Sequence, residues 1–197
     1  MAVRYGRRVN RIHNLICSSR RWRSRVEHDL IPWGLADTDL GDRVLEIGPG
    51  FGATTRFLVS RLGRVDVLEL DPRYCERLRA ELGDRVVVAQ GDATRMPYPD
   101  DRFTAVLSFT MLHHIPSREL QDAALAEAAR VLAPGGTFAG TDSIGTGALF
   151  RLMHIGDTLV PLDPEELPGR MVAAGLSDPM VERADGSFRF RARKPAP

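Results

Sequence analysis

Three closely spaced glycines between two strand-like apolar runs form the part of this sequence best suited to chemistry. The run Val44–Ile47 leads into Gly48, Gly50 and Gly52, and the next apolar run ends near Glu69. Glycines let a backbone approach a ligand without a Cβ clash, and a carboxylate at the tip of the following strand accepts hydrogen bonds from ribose hydroxyls. The residues therefore predict a nucleoside-binding β-α-β unit.

The glycine spacing distinguishes between classes of nucleoside ligand. The dinucleotide fingerprint is G-x-G-x-x-G, with the pyrophosphate at the helix N-terminus, whereas Gly48, Gly50 and Gly52 give G-x-G-x-G. Glu46, two residues before the first glycine, would repel a pyrophosphate and would suit a cationic amine. The spacing and the acid favour a ligand that carries a ribose and an amino group without a phosphate.

Glu46, the glycine loop and Glu69 together resemble motif I of the class I S-adenosylmethionine-dependent methyltransferases, of the small-molecule methyltransferase domain 11/25 type. The resemblance covers residues 42–193 and implies S-adenosylmethionine as the cofactor. It also implies a doubly wound, Rossmann-like α/β fold. Its seven-stranded, mostly parallel sheet would have the strand order 3-2-1-4-5-7-6 and an antiparallel terminal hairpin.

The resemblance assigns the glycine loop to one end of the cofactor. Glu46 would meet the methionyl ammonium, directly or through water. The close backbone wall would come from Gly48, Pro49, Gly50 and Gly52, with Pro49 fixing one φ angle of the loop. An ordinary strand-to-helix turn needs one glycine, so the set of glycines favours a ligand site.

The nucleoside end of the cofactor is assigned to residues after the second and third strands. Glu69 would hold the ribose hydroxyls and Leu70 would pack against the adenine. Asp71 is a rival for the ribose, although its position before Pro72 is that of a helix N-cap. The exocyclic amine of the adenine would be bound at Asp92, unless that residue only forms an Asx turn. The remaining cofactor-binding residues implied are Ala93, Phe109 and Thr110.

Candidates for a general base follow strands four and five. His113 and His114 lie near the place where the methyl group should project, and histidine has the right pKa range. Because the same dipeptide is common in the family across many substrates, these residues could instead pack the cofactor or cap the next turn. Asp142 is a further candidate base, or a loop-capping residue.

The sequence favours a small-molecule or lipid-like methyl acceptor. The run 108–111 lacks the Asn/Asp-Pro-Pro-Tyr type of box with which related enzymes grip a flipped adenine, and no Pro-Cys pair marks a cytosine nucleophile. The apolar segment 143–164 would form a lid over the acceptor, a dimer surface or a plain core helix. A nucleic-acid methyltransferase and a non-catalytic cofactor-binding module remain the alternatives.

Charge is concentrated at the start of the chain. Residues 1–26 hold eight arginines and no acid, which suits a nucleic-acid contact, an anionic membrane surface or an organellar transit peptide. Interleaved apolar residues favour a cationic helix over the domain. The residues expected to face inward are Leu15, Ile16, Trp22, Val26 and Leu30.

The overall composition is that of an ordinary soluble globular domain. The formal net charge is +1 over 197 residues, and no apolar run approaches the ~20 residues of a membrane span. Cys17 and Cys75 lack metal or redox spacing, which predicts a reducing cytoplasm, and no metal site is expected. We expect one domain over 1–197, with a basic helical extension at 1–41 and the cofactor-binding core at 42–197.

Alternating apolar strands and amphipathic helices predict the parallel sheet. The first helix, at 22–30, should be stopped by Pro32. Two antiparallel strands, 180–183 and 187–192, flank a hairpin turn at Ala184-Asp185-Gly186. The expected parallel strands are 43–47, 65–70, 85–89, 103–109 and 137–141, and the expected helices are 52–62, 73–82, 119–132 and 164–174.

Overall fold

The computed structural model describes residues 15–16, 19–145, 155–156 and 158–196. One sheet of seven strands has the order β3-β2-β1-β4-β5-β7-β6. The strands are β1 Val44–Ile47, β2 Val65–Glu69, β3 Val86–Gln90, β4 Phe103–Phe109, β5 Leu132–Ser143, β6 Ser177–Ala184 and β7 Ser187–Arg193. The predicted α/β fold, the strand order and the antiparallel hairpin are confirmed.

Helices cover both faces of this sheet. The α-helices are α1 Arg20–Arg25, α2 Ile31–Gly34, α3 Ala53–Leu62, α4 Pro72–Leu82, α5 Arg118–Val131 and α6 Leu167–Ala173, with a π-helical turn at Val26–Leu30 and 3-10 turns at Gly83–Arg85 and Leu112–His114. None of the helices in the described ranges is long and apolar enough to cross a bilayer.

The central strands read as apolar runs because both of their faces are buried. All four residues of β1 are buried, and β1 pairs in parallel with β2 and with β4. Successive side chains of a strand point to opposite faces, so Val44 packs in one core cluster and Leu45 in the other. Burial on both sides is typical of parallel sheets with helices on each face.

The helical residues 20–34, termed the first helical segment, differ from the prediction at Pro32. The chain remains helical to Gly34, because the π-helical turn intervenes and the N–H of Ile31 donates to the carbonyl of Val26, five residues back. Pro32 consequently lies at the start of α2, a position that suits the fixed φ of proline. The prediction that Pro32 stops the helix is therefore wrong.

The junction between α5 and β5 also lies elsewhere than predicted. The helix ends at Val131, and Leu132 already has extended geometry and pairs with Phe103 of β4. The predicted strand started only at residue 137, after the Pro134-Gly135-Gly136 run. The start of β5 is defined by pairing with Phe103 of β4, 29 residues away along the chain. The local Pro-Gly-Gly run carries no information about that pairing.

The terminal hairpin carries a prediction on stability. Asp185 and Gly186 both have positive φ, 40° and 79°, as a two-residue type I′ turn requires. Gly186→Ala should therefore lower the free energy of unfolding by ~1–2 kcal/mol. Gly169→Ala, in α6 with open space around the added methyl group, should raise it by ~0.5–1 kcal/mol. Urea unfolding checks both signs, and equal effects would contradict the assigned turn.

Candidate active site

The carboxyl ends of the central strands open onto a cavity of about 590 Å³, a typical size for a ligand site. Its floor comes from the glycine loop 48–51, the tip of β2 at 68–71, the segment 91–94 after β3 and the residues 109–111 after β4. Ligands of open α/β sheets bind at this edge, where the strand order reverses.

Most of the predicted site residues line this cavity. They are Gly48, Pro49, Gly50, Glu69, Leu70, Asp71, Asp92, Ala93, Phe109, Thr110 and His114. Four candidates lie behind the wall: Glu46, Gly52, His113 and Asp142. The predicted set thus divides into residues that can touch a ligand and residues that support them.

The glycine loop needs its glycines for different reasons. Gly48, with φ of +64°, could not carry a Cβ, since that atom would lie 2.1 Å from Cγ of Met111. Gly52, with φ of +72°, is the N-cap of α3, and its Cβ would lie 2.4 Å from Cδ2 of Leu78. Gly50 has φ of +52° and nothing within 4 Å of a Cβ. Gly48 and Gly52 serve close packing, while the backbone at Gly50 lines the cavity.

Glu69 is held rigidly at the tip of β2. Its Oε2 accepts the N–H of Gly50 at 2.9 Å and its Oε1 accepts the N–H of Asp71 at 2.8 Å. Burial raises the pKa of Glu69 above its ordinary value, although these backbone hydrogen bonds act in the opposite direction. The loop N–H that a phosphate would need at Gly50 is thus used to hold a carboxylate.

Asp71 has the role of a helix cap. Its Oδ1 accepts the N–H of Arg73 at 2.9 Å, and its carboxylate also pairs with the Arg73 guanidinium. Leu70, between the two acids, is 43% exposed and lies on the cavity wall, where a flat apolar group could stack. Glu69 and Asp71 therefore differ in their partners, as the N-cap reading of Asp71 requires.

Asp92 forms the Asx turn that the sequence allowed and also lies at the cavity. Its Oδ1 accepts from the N–H and from the hydroxyl of Thr94, both at 2.8 Å, which is an Asx-type turn. The same residue lines the cavity beside Ala93. The turn fixes the carboxylate at the cavity wall, so capping and ligand binding do not exclude each other.

Glu46 lies beneath the loop with 1% of its surface exposed. Its carboxyl oxygens accept from the hydroxyls of Thr54 and Thr55 on α3, the latter at 2.6 Å. Burial raises the pKa of Glu46 to about 7. Thr54 itself lines the cavity, so its hydroxyl links the buried carboxyl to the cavity wall.

His113 and Asp142 form a buried pair behind the cavity. Asp142 accepts from Nδ1 of His113, from the His113 N–H at 3.3 Å and from the Ser143 N–H at 2.6 Å. His113 is 2% exposed. The pair therefore fixes the 3-10 turn that carries the next residue, His114.

Of the two adjacent histidines, His114 is the one that lines the cavity. Its Nδ1 lies 3.2 Å from the carbonyl oxygen of Thr158. A carbonyl oxygen only accepts, so Nδ1 must carry the proton, and Nε2 of the neutral ring is then the basic nitrogen.

An apolar wall completes the cavity. Trp22, Val26 and Leu30 recur every four residues along the first helical segment and line the cavity, as the inward-facing pattern predicted. Leu15 is 73% exposed, contrary to that prediction. Thr158 also lines the cavity. Sequence reasoning missed Thr54 and Thr158, and only the Thr54-Thr55 pair directly after the loop offered a signal.

Much of the segment 143–164 lies outside the described residues. This holds for the apolar positions Leu149, Phe150, Leu152 and Met153, and for His154. The part that returns to the core does so at 158–160, where the N–H of Val160 donates to the carbonyl of His113 at 2.8 Å. That return places Thr158 beside His114 at the cavity.

The sequence is similar to known methyltransferases, in agreement with the geometry of the cavity. A family model described as a methyltransferase domain matches residues 45–140. The 27-O-demethylrifamycin SV methyltransferase of Amycolatopsis mediterranei is 36% identical over 112 residues, 54% of this chain and 40% of that protein. Methyltransferase GfsG of Streptomyces halstedii is 34% identical over 177 residues, 81% of this chain and 61% of that protein. The chain thus spans about two fifths to three fifths of these relatives.

A solved structure shares the fold across nearly the whole chain. It is a chain from the complex between the Haloferax volcanii Trm112 methyltransferase activator and a methyltransferase, with a TM-score of 0.70 and 20% identity. The match covers 91% of this chain and 92% of the other. This likeness shows the fold, and the family match identifies residues 45–140 as a methyltransferase domain, in a sheet with the strand order of the class I S-adenosylmethionine-dependent methyltransferases.

Proposed function

We propose that the protein binds S-adenosylmethionine and transfers its methyl group to a small, largely apolar acceptor. The observation that carries this proposal is the composition of one continuous cavity. Its lining includes Glu69 and Asp92 beside the glycine loop, and also Trp22 and Val26. The first set suits a nucleoside with a cationic tail, and the second suits an apolar partner molecule.

The residues of the floor fit the cofactor better than they fit a dinucleotide. The N–H of Gly50 already donates to Glu69, which removes a donor that a pyrophosphate would use. Each Glu69 oxygen keeps a second lone pair for a ribose hydroxyl. Glu46 and the Thr54 hydroxyl provide negative charge and a hydrogen-bonding link for an ammonium group. When bound, S-adenosylmethionine supplies a methyl group on an electrophilic sulfonium.

The chain's own contribution to the reaction is orientation, with a proton acceptor at hand. The cavity holds donor and acceptor in one space, which converts a bimolecular encounter into an oriented one. Nε2 of His114 provides a base for an acceptor that loses a proton, as a hydroxyl does. The His113–Asp142 pair holds the turn that presents His114.

The apolar wall supports a small-molecule acceptor. The methyltransferase of Amycolatopsis mediterranei is named for the acceptor 27-O-demethylrifamycin SV, which is not a nucleic acid. The arginines Arg20, Arg21, Arg23 and Arg25 lie exposed on the first helical segment, beside Trp22. That charge favours an RNA acceptor as the second candidate, because Lys and Arg contacts to phosphates give sequence-independent affinity.

The proposal is tested by turnover of S-adenosylmethionine to S-adenosylhomocysteine with a pool of aromatic, polyketide and fatty-acid acceptors. We expect product with at least one apolar acceptor and calorimetric binding of S-adenosylhomocysteine. Cofactor binding without any turnover would favour a binding module. Binding of NAD in place of S-adenosylhomocysteine would contradict the proposal. Transfer to RNA, with affinity falling steeply as salt rises, would favour the second candidate.

Trp22→Ala should weaken binding of the acceptor without changing binding of the cofactor product. The half-buried indole lines the cavity. If it contacts the acceptor as proposed, its loss should raise the KM of the best acceptor about fivefold (~1 kcal/mol, below the value for a fully buried side chain). The affinity for S-adenosylhomocysteine should stay within about twofold. Ser24→Ala, an exposed position on the same helix, should change neither quantity. An unchanged KM in Trp22→Ala would remove Trp22 from the acceptor site.

A further inference from the structure

A buried chain of polar side chains lies behind the His114 side of the cavity. Arg170 of α6, with its side chain 7% exposed, donates from Nε to Oδ1 of Asp122 at 2.6 Å. Its Nη2 donates to the carbonyl of Arg118 at 3.2 Å and to Oε1 of Gln121 at 3.1 Å. The guanidinium is therefore neutralised by one carboxylate and directed at the side chain of Gln121.

The contacts of Gln121 fix the orientation of its amide. Nε2 donates to the carbonyl of Leu112 at 3.2 Å and to the carbonyl of Val160 at 2.8 Å. Carbonyls only accept and a guanidinium only donates, so Oε1 must face Arg170 and the NH₂ group must face the two carbonyls. With 1% of its surface exposed, Gln121 makes one acceptor and two donor contacts that a flipped amide could not make.

Gln121 joins two segments that meet at the cavity. Leu112 begins the 3-10 turn that carries His114, and Val160 belongs to the return of the chain at 158–160. Two further hydrogen bonds join the same segments, from the Val160 N–H to the His113 carbonyl and from His114 Nδ1 to the Thr158 carbonyl. His114 and Thr158 line the cavity, whereas Gln121 does not.

We propose that Gln121 is a positioning residue that holds His114 in the Nδ1-protonated form at the acceptor side of the cavity. It does so by holding the segment 158–160 against the turn, which keeps the Thr158 carbonyl opposite Nδ1. The role of the basic Nε2 in catalysis rests on the proposed methyltransferase function, whereas the tautomer itself does not. Arg170 acts one step further away, by orienting the amide of Gln121.

The test is ¹⁵N NMR of the imidazole nitrogens in the full-length protein saturated with S-adenosylhomocysteine, with His114 assigned from the spectrum of His114→Gln. In the wild type, Nδ1 of His114 should be protonated at a pH where the ring is neutral. Gln121→Glu, which cannot donate to both carbonyls, and Gln121→Met, which donates to neither, should shift His114 toward the Nε2-protonated tautomer. Turnover with the acceptor found in the pool should fall at least threefold, and the Kd of S-adenosylhomocysteine should change less than twofold.

Several outcomes would overturn the proposal. An Nε2-protonated His114 in the wild type does so without any variant, which matters if the substitutions prevent folding. An unchanged tautomer in folded Gln121→Glu and Gln121→Met also does so, even if both variants melt at lower temperature, since that is a structural role only. The matched control is Arg118→Gln, on the same helix as Gln121. It breaks an exposed ion pair with Glu166 and should leave the tautomer unchanged. Failure of the methyltransferase function would appear differently, as absent turnover in a wild type that has the expected tautomer.

Discussion

Replacing Glu69 by glutamine is expected to weaken binding of S-adenosylhomocysteine by roughly 10- to 150-fold, or ~1.5–3 kcal/mol. The carboxylate accepts the N–H groups of Gly50 and Asp71 on its two different oxygens. A glutamine would direct its NH₂ group at one of these donors, so the side chain must rotate away. The ribose then loses a charge-assisted hydrogen bond, and calorimetry at constant pH and salt measures the loss.

Asp71→Asn is the companion variant because it examines the rival for the ribose. An asparagine caps a helix about as well as an aspartate, and its side-chain oxygen can still accept from the N–H of Arg73, as Asp71 does now. The affinity should therefore fall by less than about threefold. If Asp71→Asn weakened binding more than Glu69→Gln, the ribose would have to be assigned to Asp71.

The parts of the fold that the sequence predicts are those that short-range chemistry determines. Gly48, Gly50 and Gly52 adopt positive φ in the structure, and the Asp185-Gly186 turn forms because both residues tolerate that geometry. Pro32 was misjudged because its effect depends on the π-helical turn before it, which no residue preference announces. Local signals thus located the turns, while the start of β5 depended on its pairing with the distant Phe103.

In the candidate site, too, local residue preferences determine some features and long-range contacts determine the others. Glu69 and Asp71 are close in sequence, and their different roles follow from strand and helix positions that the sequence already indicates. His113 and His114 are adjacent, and the sequence alone could not say which one reaches the cavity. The 3-10 turn decides this, because it directs His113 toward the distant Asp142 and leaves His114 beside Thr158. Contacts of this kind form only when remote segments meet.

The free energy of unfolding should depend on pH through Glu46. The pKa of this buried carboxyl rises from 4.5 to about 7 on folding, so the folded state holds a proton that the unfolded chain releases. The resulting stabilisation is complete below pH 4.5 and is lost as pH rises through about 7, a change of about 3 kcal/mol for a shift of this size.

Glu46→Gln should remove this dependence, because its amide is neutral and can still bond the Thr54 and Thr55 hydroxyls, which both donate and accept. Relative to the wild type, the variant should gain stability between pH 5 and pH 8 in urea unfolding. Glu81→Gln is the control: Arg56 lowers the pKa of Glu81 below its ordinary 4.5, so that carboxyl does not titrate in this range. A constant difference between wild type and Glu46→Gln would contradict the raised pKa.

The same titration should appear in cofactor binding, with the opposite consequence. An ammonium group near Thr54 favours the ionised form of Glu46, so binding must release the proton that the ligand-free protein holds below its pKa of about 7. The affinity for S-adenosylhomocysteine should therefore rise about ninefold from pH 6 to pH 8 in the wild type, as the ionised fraction grows from about 0.1 to about 0.9. In Glu46→Gln the affinity should be lower at pH 8 and nearly independent of pH.

Proton release on binding can be measured independently, by calorimetry in two buffers of different ionisation enthalpy. A wild-type affinity that does not change with pH would mean that the ammonium binds elsewhere, and the buried carboxyl would then serve only to hold α3 against β1.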